Sequence, residues 1–246
     1  MTNIDITANS NLFSPQHYQW HICGENCLTL LLPKPVTLEQ QQLCWGLAEQ
    51  VMQTDGIKQW VIETVVGMNT LSVYCHELTA KQLLLLKEQL ETITQNNQSI
   101  KQIQGQHIEI PVRYGGEYGP DLSNLAKQKN MTVKELVERH TAPIYTVYFI
   151  GFQPGFPYLG GLPAELCAPR HTTPRLQVPA GSVGIGGEQT GIYPFASPGG
   201  WQLLGQTDLP LFNLDNLDNQ DNGQPTLLQA GDTLSFVAIE VIEDSL

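Results

Sequence analysis

Positive charge is scarce in this chain and unevenly placed. Its 246 residues hold 12 Lys and Arg against 24 Asp and Glu, a formal net charge of −12. After Arg175 there is no basic residue at all, while nine acidic ones follow. That balance argues against nucleic-acid binding, because neutralising phosphates needs clustered Lys and Arg. The four arginines, Arg113, Arg139, Arg170 and Arg175, all lie mid-chain, so a side-chain anion site is expected among them. Cysteine is sparse too. The five thiols are odd in number and scattered, which excludes a disulfide framework and predicts free cysteines in a reducing compartment. Cys23 and Cys27 have no second Cys or His pair at ligand spacing, so no metal site is expected. The first thirty residues lack a basic segment followed by an apolar one, so no export signal is expected. No apolar run approaches the roughly 18 residues of a membrane span. A cytoplasmic protein without a membrane partner is the expectation.

What is present divides near residue 100. The first part alternates strand and helix signals. "YQWHICGENCLTLLL" (18–32) is strand-like around a turn at Gly24–Asn26. Thr37 and Gln40 form a capping-box pattern, followed by Leu43, Leu47 and Val51 at helical spacing, which predicts a helix over about 37–52. "KQWVIETVVGMNTLSVYC" predicts two strands about Gly67–Asn69. Thr79 and Gln82 open a second helix carrying Leu83, Leu86 and Leu90. "HIEIPVRY" places Ile108, Ile110 and Val112 on one strand face. Strand–helix–strand–strand–helix–strand suits a small ferredoxin-like α/β sandwich over 1–104, whose last strand hands the chain to a second domain over 105–246.

That second domain opens with two short helices. One follows Asp121, read as its N-cap. The other begins at Thr132 with Glu135 as capping-box partner and ends near His140. Between Gly151 and Gly200, 19 of 50 residues are Gly or Pro. Short strand-like pieces punctuated by these turns predict a β-barrel or sandwich, so the overall class is α+β. "NLDNLDNQDNGQP" (213–225) is read as an acidic surface loop.

Several stretches are candidates for chemistry. In "RYGGEYGPDL", Gly115 and Gly116 bend the chain and free amides, and Glu117 is a carboxylate at the turn. Arg113 and Gly116 are ligand-binding candidates there. His140 is open to two readings, a cation at a helix C-terminus or a proton-transfer group. In "IGFQPGFPYLGGLP", glycines permit unusual backbone, prolines stiffen it, and Phe152, Phe156 and Tyr158 pin it by burial. A loop so specified is expected to be a site wall, with a barrel corner as the alternative. Gln153, Gly155, Phe156 and Tyr158 are its binding candidates. "TPRLQVPAGSVGIGGEQTGIYPFASPGGW" repeats the style. It offers Ser182, Gln189, Gly199 and Gly200 as binding candidates and Arg175 as a charge stabiliser. No Gly-x-Ser-x-Gly surrounds Ser182, which excludes a nucleophile elbow, and no Walker loop is present.

"VRYGGEYGPDL", "YFIGFQPGFPYLGGLP", "TPRLQVPAGSVGIGG", "TGIYPFASPGGWQLLGQT" and the closing "GDTLSF" together resemble the family of the B subunit of bacterial 5-oxoprolinase. It is also called the KipI family, or the allophanate hydrolase subunit 1 and carboxyltransferase domain. The resemblance spans essentially the whole chain. It implies a cyclophilin-like barrel after the small α/β domain. It implies two partners, a homologous barrel protein that is the enzyme's C subunit and a further one that is its A subunit. It also implies ATP-dependent opening of 5-oxo-L-proline to L-glutamate, with ATP as cosubstrate at a site shared with or located on the partners. No C-type half follows in the chain, so a separate subunit, inactive alone, is expected. On this picture Arg175 and the Gly-rich amides stabilise negative charge, and Glu117 or His140 manages protons. Two alternatives stand beside it: an inhibitor of a sensor histidine kinase, and a component of an enzyme acting on urea or allophanate. A prolyl isomerase, indicated by barrel type alone, is set aside because fold does not imply function.

Overall fold

The computed structural model describes residues 18–96, 105–218 and 223–243. The chain separates into two compact units, 1–102 and 103–246.

The first unit begins with a hairpin, β1 (Gln19–Ile22) and β2 (Cys27–Leu31), turned at Gly24, whose φ is +78°. Helix α1 (Leu38–Gln53) follows, with the expected Thr37–Gln40 capping box formed in both directions. Strands β3 (Val61–Gly67) and β4 (Thr70–Cys75) make a second hairpin. Helix α2 (Ala80–Asn96) closes the unit, and the Thr79 amide donates to Gln82 Oε1 at its start. The sheet order is β1-β2-β4-β3, antiparallel throughout. Alternation on β4 turns Leu71, Val73 and Cys75 inward, where they share one core with Leu43, Leu47 and Val51 of α1 and Leu86 and Leu90 of α2. This order differs from the expected ferredoxin-like one. β2 and β3 do flank β4 across α1, but β1 takes the edge that the strand after α2 would fill. That later strand goes to the second unit. The reason lies in "YQWHICGENCLTLLL", where the Gly24 turn makes one strand-like run into two.

The second unit is built on β5 (His107–Gly115), followed by α3 (Leu122–Gln128) and α4 (Val133–Thr141). Then come β6 (Tyr145–Ile150), β7 (Pro157–Gly160), β8 (Arg175–Val178), β9 (Ser182–Gly186) and β10 (Gln189–Ile192). The series ends with β11 (Ser197–Gly199), β12 (Gln202–Gln206) and β13 (Thr233–Ile242). Seven strands close a barrel in the order β10-β7-β6-β13-β5-β12-β9, and β8 pairs with β11 as a separate ribbon. Ile110, Val112 and Tyr114 point inward at every second position of β5, as period-two alternation requires. They meet Tyr145 and Val147 of β6, Val183 and Ile185 of β9, and Phe236 of β13, while Leu125 of α3 and Leu136 of α4 join the same core. The mixed α+β class expected from the pattern is therefore the class found.

Asp121 is a correction. It precedes α3, but its side chain makes no cap hydrogen bond. Its carboxylate turns instead to the barrel: Oδ2 accepts from the Leu203 amide at 2.7 Å and Oδ1 from Arg175 Nη2 at 2.6 Å. The Arg175 guanidinium brings a full positive charge to the carboxylate, which the amides of a local cap do not.

Candidate functional site

The Gly- and Pro-rich loops build a second, aromatic core beside the main one. Phe156, Tyr193, Trp201, Val178 and Leu203 are buried together, with Tyr158 packed against them. The rings meet edge to face. Phe156 lies 5.2 Å from Tyr193 and 5.4 Å from Trp201, each at 88° between planes. That geometry sets positive ring edges against negative faces. Glycine makes it possible at two places. A Cβ on Gly186 would sit 2.5 Å from the Trp201 ring, and one on Gly199 would sit 2.5 Å from Tyr193 Oη. The interleaving of glycine and aromatics thus lets flat rings lie directly on backbone.

These rings bound a pocket of about 280 Å³. Phe152, Phe156, Tyr158, Tyr193 and Trp201 supply most of its wall. Gly199 and Gly200 edge it, with Pro174 and Pro198, and Arg170 is its one charged side chain among the described residues. The size is close to the lower end of the roughly 300–1,000 Å³ usual for small-ligand sites. Burial raises the pKa of both Tyr158 and Tyr193, so the two hydroxyls stay protonated and can donate.

Arg170 is held by its backbone neighbours. The His171 amide donates to Gly200 O at 2.7 Å, and Gln202 Nε2 donates to Pro169 O at 2.9 Å. Both residues flanking Arg170 are thereby tied to the segment that carries Trp201. The guanidinium carbon lies 5.7 Å from the Trp201 ring centroid, within cation–π reach. No carboxylate among the described residues pairs with Arg170. A cation on an aromatic face, without its own counter-ion, is a ready anion anchor.

Phe152 carries the other sign of a site. Its φ is +66°, the left-handed region that a bulky residue enters only at a cost of about 1–3 kcal/mol. It is nonetheless 62% exposed, so burial does not repay that strain. Edge contacts to Phe156 and Tyr193, at 5.5 and 6.4 Å, hold the ring at the pocket mouth. Phe152→Asn, which tolerates this φ, is expected to raise stability by about 1 kcal/mol in urea unfolding and to weaken ligand binding.

Of the sequence candidates, Phe156, Tyr158, Gly199 and Gly200 come together at the pocket. Arg175 does not reach it; its guanidinium is committed to Asp121, and a longer contact of 3.5 Å runs to Trp201 O. Asp121 is nearly buried, with His171 Nε2 3.3 Å from its Oδ2 but without hydrogen-bond geometry. Asp121→Ala should therefore cost about 2–3 kcal/mol of unfolding free energy, since it strands a half-buried guanidinium and the Leu203 amide. Arg113 is likewise engaged, donating to Asp208 Oδ1 at 2.6 Å with its guanidinium over Tyr118. Gly116 packs on Ile242, and Gly155 approaches Leu211 O. Both are fold positions, as is Ser182, buried in β9. Gln153 and Gln189 border the loops with one buried amide atom each unpaired, Oε1 and Nε2. Glu117 is exposed at the turn after β5 and does not line the pocket.

His140 requires the plainest correction. It is fully buried in the barrel core, stacked on Phe236 at 4.6 Å. Thr190 Oγ1 donates to Gly184 O at 3.0 Å, so it must accept from His140 Nε2, also at 3.0 Å. Nδ1 then accepts from Tyr114 Oη at 2.9 Å. The ring is neutral in one fixed tautomer, and burial pushes its pKa down to about 3. It serves neither as a helix-end cation nor as an acid at the pocket.

Sequence reasoning missed Tyr193 and Trp201 as walls, and it grouped Arg170 with the other arginines without separating it. The separating signal is partner availability, which only the folded chain shows. All described cysteines are free thiols, and no three His, Cys, Asp or Glu among the described residues could share a metal. No helix among those residues is long and apolar enough to cross a membrane.

Residues 18–221 match the family model "Carboxyltransferase domain, subdomain C and D", which gives the class of the protein. The chain is 50% identical to the B subunit of 5-oxoprolinase from Haemophilus influenzae, over 89% of its own length and 97% of that protein. It is 42% identical to the Escherichia coli O157:H7 protein of the same name, over 90% and 96%. It belongs to this 5-oxoprolinase B-subunit family. Among solved structures, a conserved uncharacterized protein from Pyrococcus horikoshii is similar at 33% identity and TM-score 0.51, over 90% of this chain and 98% of that one. The Kluyveromyces lactis urea amidolyase shares the fold at 16% identity and TM-score 0.75, over 91% of this chain and 15% of the longer enzyme.

Proposed function

We propose that this chain is the B subunit of a heteromeric, ATP-dependent 5-oxoprolinase. It works with the A and C subunits to open 5-oxo-L-proline to L-glutamate while ATP becomes ADP and phosphate. The observation that carries this is the 50% identity to a protein of that name across nearly the whole of both chains.

The pocket suits the substrate's chemistry. 5-Oxoproline is a small flat lactam with one carboxylate. Arg170 takes the carboxylate in a charge-assisted pair, and the faces of Phe156 and Trp201 take the ring. The tyrosine hydroxyls donate to the lactam oxygen. A lactam resists water because its nitrogen lone pair is delocalised into the carbonyl. Phosphorylation of that oxygen by ATP makes the ring carbon electrophilic. Water then adds, the C–N bond breaks as the nitrogen takes a proton, and a second water hydrolyses the resulting acyl phosphate to L-glutamate and phosphate. One guanidinium is too little charge for a triphosphate, so ATP is assigned to the partner proteins. This chain then contributes positioning, converting an intermolecular encounter into an aligned one. Dependence on ATP supports a cytoplasmic setting for the reaction.

A strain lacking this chain is expected to accumulate 5-oxoproline and to lose growth on it as a nitrogen source. Unchanged growth and no accumulation would count against the reading.

A further inference from the structure

We propose that the outer edge of β13, from Val237 to Ile242, is a docking site for a β-strand supplied by a partner protein with basic residues among its apolar ones. The proposal rests on the chain working as one member of an assembly.

β13 is ten residues long, and its two sides are unequally used. β5 runs beside it from Thr233 to Ile242. On the other side β6 pairs only at Thr233 and Leu234. Phe236 is buried against His140 of α4, and the exposed stretch begins at Val237. Among the described residues no further backbone pairs with that edge. Val237, Ala238, Ile239, Glu240 and Val241 are exposed in succession, which means both faces of the ribbon are open. Val237 is 38%, Ile239 58% and Val241 41% exposed.

Native monomers blunt such edges with Lys, Pro or inward charges, because free N–H and C=O groups template strand addition. Here β13 contains neither Lys nor Pro, and among the described residues its blunting devices are the register shift between Ala238 and Glu240 and the single charge of Glu240. An apolar, unpaired edge is the surface on which β-augmentation operates. Main-chain hydrogen bonds give the affinity, and alternate side chains give the choice of partner. Charge selects the occupant. Glu240 lies within the edge, in register with Arg113 of β5 whose guanidinium is paired with Asp208, Glu243 follows the edge, and no Lys or Arg occurs anywhere after Arg175. A second copy would therefore bring acid against acid, whereas a strand bearing Lys or Arg would neutralise it.

The test is amide hydrogen exchange of the full chain, alone and mixed with the purified A and C subunits, together with its affinity for those two proteins. In the free chain those amides of 237–242 that point away from β5 should exchange quickly at every concentration. In the assembled complex they should slow by about 100-fold or more, as buried ladder amides do. Ile239→Lys with Val241→Lys should weaken assembly at least about tenfold, since charge on a strand edge opposes pairing. Leu84→Lys with Leu85→Lys, at exposed positions of α2, should leave assembly unchanged. Assembly with no gain of protection at 237–242 would overturn the proposal while leaving the 5-oxoprolinase reading intact. Protection of those amides already present in the free chain would overturn it in favour of this chain's own residues. Protection that grows with the free chain's concentration would overturn it in favour of a second copy. Failure of the unaltered chain to bind either protein would overturn the assembly and the proposal together.

Discussion

Arg170→Ala is expected to raise the KM for 5-oxoproline in the assembled enzyme by about 100-fold while leaving kcat within about twofold. Among the described residues Arg170 is the only charged side chain at the pocket, and the carboxylate it would hold does not change during lactam opening. Its interaction is thus the same in ground and transition states, and losing it removes uniform binding. A charge-assisted pair at a partly dry aromatic wall contributes about 1.5–3 kcal/mol, which is the origin of the expected factor. Arg170→Lys should recover only part of the loss, because an ammonium lacks the planar fork and stacks less well on Trp201. Arg175→Ala makes the informative contrast. It removes the partner of Asp121, so instability should appear in its unfolding curve before any change in KM.

The second large effect concerns stability and pH. The His140 pKa lies near 3 in the fold against 6.5 in the unfolded chain. Below pH 6.5 the unfolded state takes a proton that the folded state refuses. Stability from this residue is therefore complete above pH 6.5 and falls as pH drops toward 3, by about 1.4 kcal/mol per pH unit. By pH 4 the loss approaches about 3 kcal/mol. His140→Gln should flatten this segment of the stability–pH curve in urea titrations. At pH 7.5 the same variant should lose about 2–4 kcal/mol, because an amide cannot reproduce both the Tyr114 and Thr190 hydrogen bonds. A slope unchanged by the substitution would mean that the ring is not held neutral in the core.

Local signals were plain in the sequence. The Thr37–Gln40 and Thr132–Glu135 boxes form as their spacing indicates, and the alternation of "HIEIPVRY" faces the barrel core. Long-range partner choice was not readable. Nothing near Asp121 in sequence shows that Arg175 and the Leu203 amide, far along the chain, will claim its carboxylate. Nor does the sequence around His140 show that Tyr114 and Thr190 will enclose it. The pocket lies between. The density of glycine, proline and aromatics in 151–200 marked a rigid wall and located Phe156, Tyr158, Gly199 and Gly200. Which arginine remained free depended on where the acids folded. The edge position in the first sheet failed for a similar reason, since a single turn at Gly24 exchanged which strand filled it.

The central claim is that this chain is a required part of a 5-oxoprolinase. Its most direct test is glutamate release from 5-oxo-L-proline and ATP, using this chain with the A and C subunits and omitting each in turn. The account predicts stoichiometric glutamate and phosphate from the complete mixture and none when this chain is left out. Full release without this chain would contradict it.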